Sequence, residues 1–185
     1  MVFALSNANV VGVYNANVAD ALTMGNKFAG AAAVANQVVF APFLADVMGV
    51  YNTKTTWSFD GFVSTGSLLV DAKFTGAAVV KTLVVFAPRN TYVVGVYNTE
   101  TRSFDGSISA GSLIMNDKFS GAAAVGNLVV FAPLCANAVG VYNTETQSFD
   151  PSVSTGSLIM DFKFGSAAVV RNSQVCAMSL KRGPA

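Results

Sequence analysis

The sequence predicts an all-β protein built from tandem copies of one small sheet. Three motifs recur in a fixed order along its 185 residues: Lys-Phe-x-Gly-Ala-Ala-x-Val, then Val-Phe-Ala-Pro, then Val-Gly-Val-Tyr-Asn. The step from Lys to Phe is always 13 residues and the step from Phe to Tyr is always 11. Successive lysines are 45 or 46 residues apart, which is the period of the repeat. Such a period indicates a repeat protein, and the many Val, Phe and Tyr residues without helical periodicity favour strands.

The landmark residues of the repeats are easily located in the sequence. The lysines are Lys27, Lys73, Lys118 and Lys163. The aromatic landmarks are Phe40, Phe86 and Phe131, with Cys176 at the fourth place, and Tyr51, Tyr97 and Tyr142. Phe3 and Tyr14 keep the same 11-residue step at the beginning of the chain. The repeats therefore run through the whole sequence, which predicts one domain over residues 1–185.

Each repeat predicts four short strands. In the second copy a strand rich in small residues is followed by a two-residue hairpin at Lys81-Thr82 and by a β-branched strand that ends at Pro88. A third strand ends at Tyr97, and the Asn98-Thr-Glu-Thr101 segment has the side chains of a tight turn. The fourth strand, from Arg102, is the most polar. The first strand should therefore be innermost and the fourth should face water.

Radial repetition of such sheets is a small β-propeller, with four blades of three to four antiparallel strands. The first repeat is shortened at residues 15–22, and the chain is circularly permuted relative to the blade. Pairing of the strand at 167–170 with Val2–Leu5 would join the N- and C-terminal strands and close the ring. The segment 174–177 is a surplus second strand that either competes for this place or does the pairing itself. A fragment of a larger ring and one half of an eight-bladed dimer are the alternatives.

The repeat resembles the kelch type of propeller repeat. The similarity lies in the basic residue before the inner strand and in the segments Val50–Trp57 and Val96–Phe104, where Trp57 matches the tryptophan of the family. The chain departs from the family at the end of the second strand, where Ala-Pro replaces the double glycine: Ala41-Pro42, Ala87-Pro88 and Ala132-Pro133. The resemblance implies a propeller of a kind that mostly serves as an interaction platform, with some enzymes among its members.

Composition excludes several classes of function. Net charge is +1 and only 11% of residues are charged, which gives no electrostatic footprint for nucleic acid. So little charge on a propeller surface suggests that protein partners cover part of it. The longest uncharged run, between Lys27 and Asp46, is broken by polar residues and Pro42 and predicts two strands, not a transmembrane segment. No signal peptide is recognised, and the two cysteines favour an intracellular location.

The motifs predict no catalytic, cofactor-binding or metal-binding residues. Histidine is absent, which excludes histidine-based triads and metal sites. The four motif lysines could form a cationic ring that binds an anion, although surface ion pairs with Asp71, Asp117 and Asp161 explain them more simply. The repeated Phe-Asp pairs at 59–60, 104–105 and 149–150 and the acids Glu100 and Glu145 are expected to shape strand ends and turns.

The residues that differ between repeats are the better candidates for a binding site. The loops after the three Ala-Pro pairs should cluster on one face and expose Phe43, Leu44, Tyr92 and Leu134 to a partner. Packing of these side chains under their own loops is the alternative. The sequence thus favours a noncatalytic protein-interaction or structural scaffold module, possibly within a larger assembly; the alternatives are an enzyme or an anion- or sugar-binding propeller with its site at the central channel.

Overall fold

The computed structural model describes residues 2–3, 12–13, 25–54, 63–170 and 174–177. All regular elements in these ranges are strands. In chain order they are β1 (Val2–Phe3), β2 (Gly12–Val13), β3 (Phe28–Val34), β4 (Gln37–Pro42), β5 (Val47–Asn52), β6 (Val63–Ser64), β7 (Phe74–Val80), β8 (Leu83–Pro88), β9 (Val93–Asn98), β10 (Ser103–Ser109), β11 (Phe119–Val125), β12 (Leu128–Pro133), β13 (Ala138–Asn143), β14 (Ser148–Ser154), β15 (Ala167–Val170) and β16 (Gln174–Ala177).

The strands form three four-stranded antiparallel sheets and two two-stranded sheets. Sheet 1 contains β3 to β6, sheet 2 contains β7 to β10 and sheet 3 contains β11 to β14, each in sequential order. The predicted all-β class and the predicted order of strands within a repeat are confirmed. Within the described ranges, helices capable of spanning a bilayer are absent.

Local chemistry explains how each sheet forms. The first two strands are joined by tight hairpins whose first turn residue has a left-handed backbone, at Ala35 (φ 49°), Lys81 (φ 56°) and Gly126 (φ 59°). The Lys81-Thr82 hairpin was predicted from its length. A shift in register follows the phenylalanine that begins each inner strand, as between Phe74 and Ala77. This bulge places the phenylalanine on the same face as the alanine three positions later.

The inner strands of neighbouring sheets approach each other closely because small residues line them. A Cβ added to Gly76 would lie 2.8 Å from Gly121 Cα, and one added to Gly121 would lie 2.8 Å from Ser166 Cα. Hydroxyl groups reinforce this contact: Thr75 Oγ1 donates to Phe119 O at 2.8 Å, and the Ser120 hydroxyl donates to Phe164 O. The Gly-Ala-Ala motif is thus the joint between sheets.

The core lies between consecutive sheets. One apolar cluster joins Val34 and Val50 of sheet 1 to Phe74 and Phe86 of sheet 2, and a second joins sheets 2 and 3. Within sheet 2 the rings of Phe74 and Phe86 are 5.6 Å apart between centroids, a favourable aromatic distance. Gly95 makes room for them, since a Cβ there would lie 2.7 Å from Phe74 Cζ.

Polarity increases from the inner to the outer strand, as predicted. The tyrosines of the third strand, Tyr51, Tyr97 and Tyr142, are at most 1% exposed. In the outermost strand β10 exposed and half-buried residues alternate along its whole length. The inner strands β3, β7 and β11 pack successively on one another, which is the radial arrangement of a propeller-like fold.

The two ends of the chain each form a short sheet of their own. β1 pairs with β2, and β15 pairs with β16, so the surplus segment at 174–177 does the pairing that was one of the two expectations for it. Closure of a ring through β15 and the N-terminal strand stays a prediction. The shortened stretch at 15–22, Trp57 and the pair Phe59-Asp60 lie outside the described residues.

Candidate functional site: the crossover-loop face

Two sets of loops meet at one end of the sheets. The Pro loops, residues 43–46, 89–92 and 134–137, follow the Ala-Pro pairs, and the crossover loops, residues 65–72, 110–117 and 155–162, lead from each sheet to the next inner strand. Backbone hydrogen bonds tie each crossover loop to the Pro loop of its own sheet: Thr65 N donates to Asp46 O, Ala110 N to Tyr92 O and Thr155 N to Asn137 O. We call this end of the protein the crossover-loop face.

The crossover loops share one conformation. Each contains a Gly-Ser-Leu sequence whose glycine has a left-handed backbone, with φ of +68° at Gly66, +66° at Gly111 and +63° at Gly156. The glycine N–H donates to a serine hydroxyl two residues earlier. The N–H of the residue after the leucine then closes a three-residue turn by donating to the carbonyl oxygen of the serine in Gly-Ser-Leu, as in Leu69 N to Ser67 O at 3.0 Å.

In the first two crossover loops this turn divides the apolar side chains between core and solvent, whereas in the third Leu158 is itself 40% exposed. Leu68 and Leu113 pack on the clusters between the sheets. The next residue in each loop points outward, so Leu69, Ile114 and Ile159 are 75%, 80% and 81% exposed. Val70 and Met160 add further exposed apolar surface. We call Leu69, Ile114 and Ile159 the apolar array.

A cleft connects the first member of the array to the Pro loop of sheet 2. It has a volume of about 280 Å³, and Leu69, Val70 and Tyr92 line it. Tyr92 is 55% exposed, and the Nζ atom of Lys118 lies 4.8 Å from the centre of its ring. This ammonium–aromatic contact holds the tyrosine in place at the edge of the cleft.

The four residues predicted to contact a partner differ in their exposure to solvent. Tyr92 is exposed, whereas Leu134 is only 7% exposed and Phe43 and Leu44 are half-buried. The guanidinium of Arg89 lies over the ring of Phe43, with its carbon 5.3 Å from the ring centre. The predicted face is therefore apolar, but apart from Tyr92 its most exposed apolar groups come from the crossover loops.

Sequence reasoning missed the apolar array. The signal was present, because Gly-Ser-Leu begins at 66, 111 and 156 with the period of the repeat. Only the turn geometry shows that the residue after the leucine leaves the core.

The four motif lysines are buried and do not form an open cationic ring. Their exposure is 2% for Lys27, 0% for Lys73 and Lys118, and 1% for Lys163. Three of the ammonium groups bind loop carbonyls: Lys73 Nζ donates to Leu44 O, Lys118 Nζ to Met115 O and Lys163 Nζ to Cys135 O. Because Leu44 and Cys135 belong to the preceding Pro loop, Lys73 and Lys163 connect consecutive sheets.

The predicted ion pairs also differ from those in the structure. Lys73 pairs with Asp46 at 2.8 Å, not with Asp71, and Asp117 pairs with Arg89. The buried lysine reaches the loop of the preceding sheet because its backbone N–H already bonds there, from Lys73 N to Phe43 O. Burial lowers the pKa of Lys118 from its ordinary 10.5 to about 8, and the nearby Asp117 charge opposes this shift.

The acidic motifs have the structural roles that were expected of turn and strand-end residues. Asp105 Oδ1 accepts the backbone N–H of Ser107 at 2.8 Å, inside a shift in the register of β10. The amide of Glu100 donates to Asn98 Oδ1 at 2.9 Å in the turn before β10. Among the described residues, acidic and cysteine side chains do not cluster in groups of three that could hold a metal ion.

A polar groove lies at the opposite end of the protein, between the hairpins of sheets 1 and 2. Its volume is about 480 Å³, and its lining includes Gln37, Lys54, Lys81 and Glu100. Gln37 Oε1 is buried and accepts no hydrogen bond from the described residues. The second and third repeats have Leu83 and Leu128 at this position, so the glutamine is a specific feature of the first sheet.

Comparison with known proteins identifies the fold alone. No family model matches the chain, and no curated protein is significantly similar to it in sequence. Among solved structures, the computationally designed Ika8 protein is similar with a TM-score of 0.59 at 13% identity over 89% of this chain and 48% of that chain. The RRP9 WD40 repeats give 0.57 at 8% identity, covering 78% and 43% of the two chains. Hydrazine synthase of Kuenenia stuttgartiensis gives 0.55 at 14% identity, covering 76% and 38%.

These similarities support a propeller-like fold with blade-like antiparallel sheets. The chain spans less than half the length of each of these three structures. The kelch resemblance stays a prediction, since WD40 repeats are the type of propeller repeat named among the similar structures.

Proposed function

We propose that the chain is a noncatalytic protein-interaction module, a structural scaffold that binds its partner through the crossover-loop face. The observation that carries the proposal is the apolar array, in which three equivalent loops keep Leu69, Ile114 and Ile159 in water. Contiguous exposed apolar surface commonly marks a protein–protein interaction site. The structural similarity to the WD40 repeats of RRP9 is consistent with a propeller-like scaffold.

The surroundings of the array suggest the chemistry of the partner. Asp71 and Asp161 are exposed two residues after Leu69 and Ile159, and Asn116 holds the same place after Ile114. The ammonium groups of the nearby motif lysines are buried and are not exposed to a partner. An apolar segment with flanking Lys or Arg residues fits this combination of apolar and acidic groups, because complementary charges guide association.

The proposal can be tested with a variant that removes only the exposed groups. Leu69→Ser, Ile114→Ser and Ile159→Ser are combined in one protein, which should fold because these side chains are largely outside the core. Val153→Ser is the matched control, since Val153 is 52% exposed on the outer strand β14. Binding is measured to arrays of apolar peptides with basic or acidic flanks.

The expected result is that the wild-type protein and the Val153→Ser variant bind basic-flanked apolar peptides, whereas the triple variant does not. The same three proteins are compared as baits in native extracts, with mass spectrometry of what each retains. Equal retention of peptides and extract proteins by the wild type and the triple variant would disprove the proposal.

The polar groove supports a second candidate function, binding of a small polar ligand. Gln37 contributes an amide side chain to the lining of this groove, and Lys54, Lys81 and Glu100 contribute charged groups. Thermal stabilisation by members of a panel of sugars and small anions would indicate binding. Loss of that stabilisation in Gln37→Leu would locate the ligand in the groove, and a panel without effect on the wild type would reject this candidate.

A further inference from the structure

Three of the residues that sheet 1 contributes to the polar groove differ in type from their equivalents in the other two repeats: Ala35, Gln37 and Lys54. The equivalents in sheets 2 and 3 are Lys81 and Gly126, Leu83 and Leu128, and Glu100 and Glu145. The fold does not require the residue types of sheet 1, because sheets 2 and 3 form the same hairpins and turns without them. All three changes lie at one site, which indicates a role of the groove beyond folding.

The first change removes an ion pair that the next junction between sheets has. Where sheets 2 and 3 meet at this end of the protein, Lys81 Nζ lies 3.9 Å from Glu145 Oε1. At the junction of sheets 1 and 2, Ala35 holds the place of Lys81, and Glu100 forms no ion pair within the described ranges. Glu100 is exposed and lines the groove, so its carboxylate is accessible to a ligand.

A second change places the opposite charge on the wall that sheet 1 contributes. Lys54 occupies the same place in the turn after β5 that Glu100 occupies in the turn after β9. Both turns are held by a backbone N–H: Lys54 N donates to Asn52 Oδ1 and Glu100 N to Asn98 Oδ1, each at 2.9 Å. The turn therefore does not use the ammonium group of Lys54, which is likewise without an ion pair in the part of the chain that the structure describes.

The groove thus presents a cation and an anion from different sheets that do not pair with each other. Three carboxamides also line it: those of Asn36, Gln37 and Asn52. A simple anion is repelled by Glu100, a simple cation is repelled by Lys54, and a neutral sugar pairs with neither charge. We infer that the groove binds a small zwitterion, whose carboxylate contacts Lys54 and whose ammonium group contacts Glu100. Charge complementarity of this kind gives specificity. The inference rests on the second candidate function, binding of a small polar ligand, and narrows it to one class of ligand.

A series of ω-amino acids of two to six carbons tests the inference, because the separation of their two charges increases along the series. They are added to the panel of sugars and small anions, and binding is measured by calorimetric titration and thermal unfolding at low salt, since salt screens exposed charges. At least one member of the series should bind and raise the melting temperature. The carboxylic acid and the alkylamine of the same length each keep one of the two charges and should bind about tenfold more weakly.

Charge reversal at the two residues uses substitutions that the repeat itself contains. Lys54→Glu copies the residue of sheets 2 and 3, and Glu100→Lys copies that of sheet 1, so both turns should fold. Each single reversal gives the two positions like charges and should weaken binding by about tenfold or more. The double variant exchanges the two charges, and because a zwitterion can bind it in the opposite direction, its affinity should return. Glu145→Lys is the matched control, since it makes the same change in the equivalent turn outside the groove and should leave binding unchanged.

Circular dichroism checks that every variant keeps its strands. A folded double variant that binds no better than the single variants would overturn the inference. Equal or stronger stabilisation of the wild type by sugars or small anions would also overturn it but would leave the second candidate function standing, whereas a complete lack of stabilisation by the extended panel would reject both. The peptide-binding experiment is unaffected by these outcomes, because the groove and the crossover-loop face lie at opposite ends of the protein.

Discussion

Replacement of Gly76 by alanine should separate the inner strands of sheets 2 and 3. The new Cβ would lie 2.8 Å from Gly121 Cα and 3.0 Å from Ala122 N, and both of these atoms belong to the backbone. Carbon atoms pack best at about 3.5 Å or more, so the strands must move apart by roughly 0.7 Å. That movement would stretch the hydrogen bond from Thr75 Oγ1 to Phe119 O, now 2.8 Å long, beyond the ordinary range.

The size of the effect follows from two destabilising contributions and one that opposes them. Overpacking of this kind costs about 1–3 kcal/mol, and the weakened hydrogen bond costs about 1 kcal/mol more. Reduced freedom of the unfolded chain offsets about 0.4–1 kcal/mol. We therefore expect a net loss of about 1–3.5 kcal/mol, which lowers the melting temperature of a chain of this size by roughly 2–14 °C.

Thermal and urea unfolding followed by circular dichroism measure this loss. Gly66→Ala is the control: Gly66 has φ +68° and nothing lies within 4 Å of the added Cβ, so only backbone strain is introduced. That strain costs about 1–2 kcal/mol. If Gly76→Ala unfolds at the same temperature as the wild type, or costs clearly less than Gly66→Ala, the close contact between inner strands does not hold the sheets together.

Three further predictions concern buried or half-buried polar groups. Gln37→Leu should raise the free energy of unfolding by about 1 kcal/mol, because it removes a buried acceptor without a described donor; a lower urea midpoint would contradict this. Thr75→Val should lower it by about 1 kcal/mol through loss of the bond to Phe119 O, and unchanged unfolding would show that the bond contributes nothing. The folded state releases the Lys118 proton near pH 8 while the unfolded state holds it to about 10.5, so stability should rise between these values. The rise, up to about 3 kcal/mol, should be absent from Lys118→Met, and an equal rise in that variant would contradict the assignment.

Much of the fold could be predicted because the turns and strands within one repeat depend on local residue types and spacing. Lys81-Thr82 is too short for anything but a hairpin, and the turn at Asn98 has the side chain that its hydrogen bond to Glu100 N requires. The polar composition of residues 103–109 identified the outer strand. These features are local, so spacing and residue type were sufficient to find them.

The contacts between sheets could not be predicted in the same way. The motif lysines looked like surface residues because lysine is rarely buried, yet the carbonyls of Leu44 and Cys135 in the preceding Pro loops satisfy two of them. Leu134 was expected at the surface and is 7% exposed. In both cases the partner atoms are distant in sequence, and the pattern within one repeat does not reveal them.

The apolar array shows that a repeated residue is not explained by folding merely because it is repeated. Leu68 and Leu113 pack against the core, and any sequence with this fold needs such a residue there. Leu69 and Ile114, one position later, are 75% and 80% exposed, so they gain little from folding and a polar side chain would fit the same turn. The scaffold therefore accounts for the first residue of each pair and not for the second. Contact with a partner at several blades would account for the second residue, and this is why the crossover-loop face and not the lysine ring is the place to look for binding.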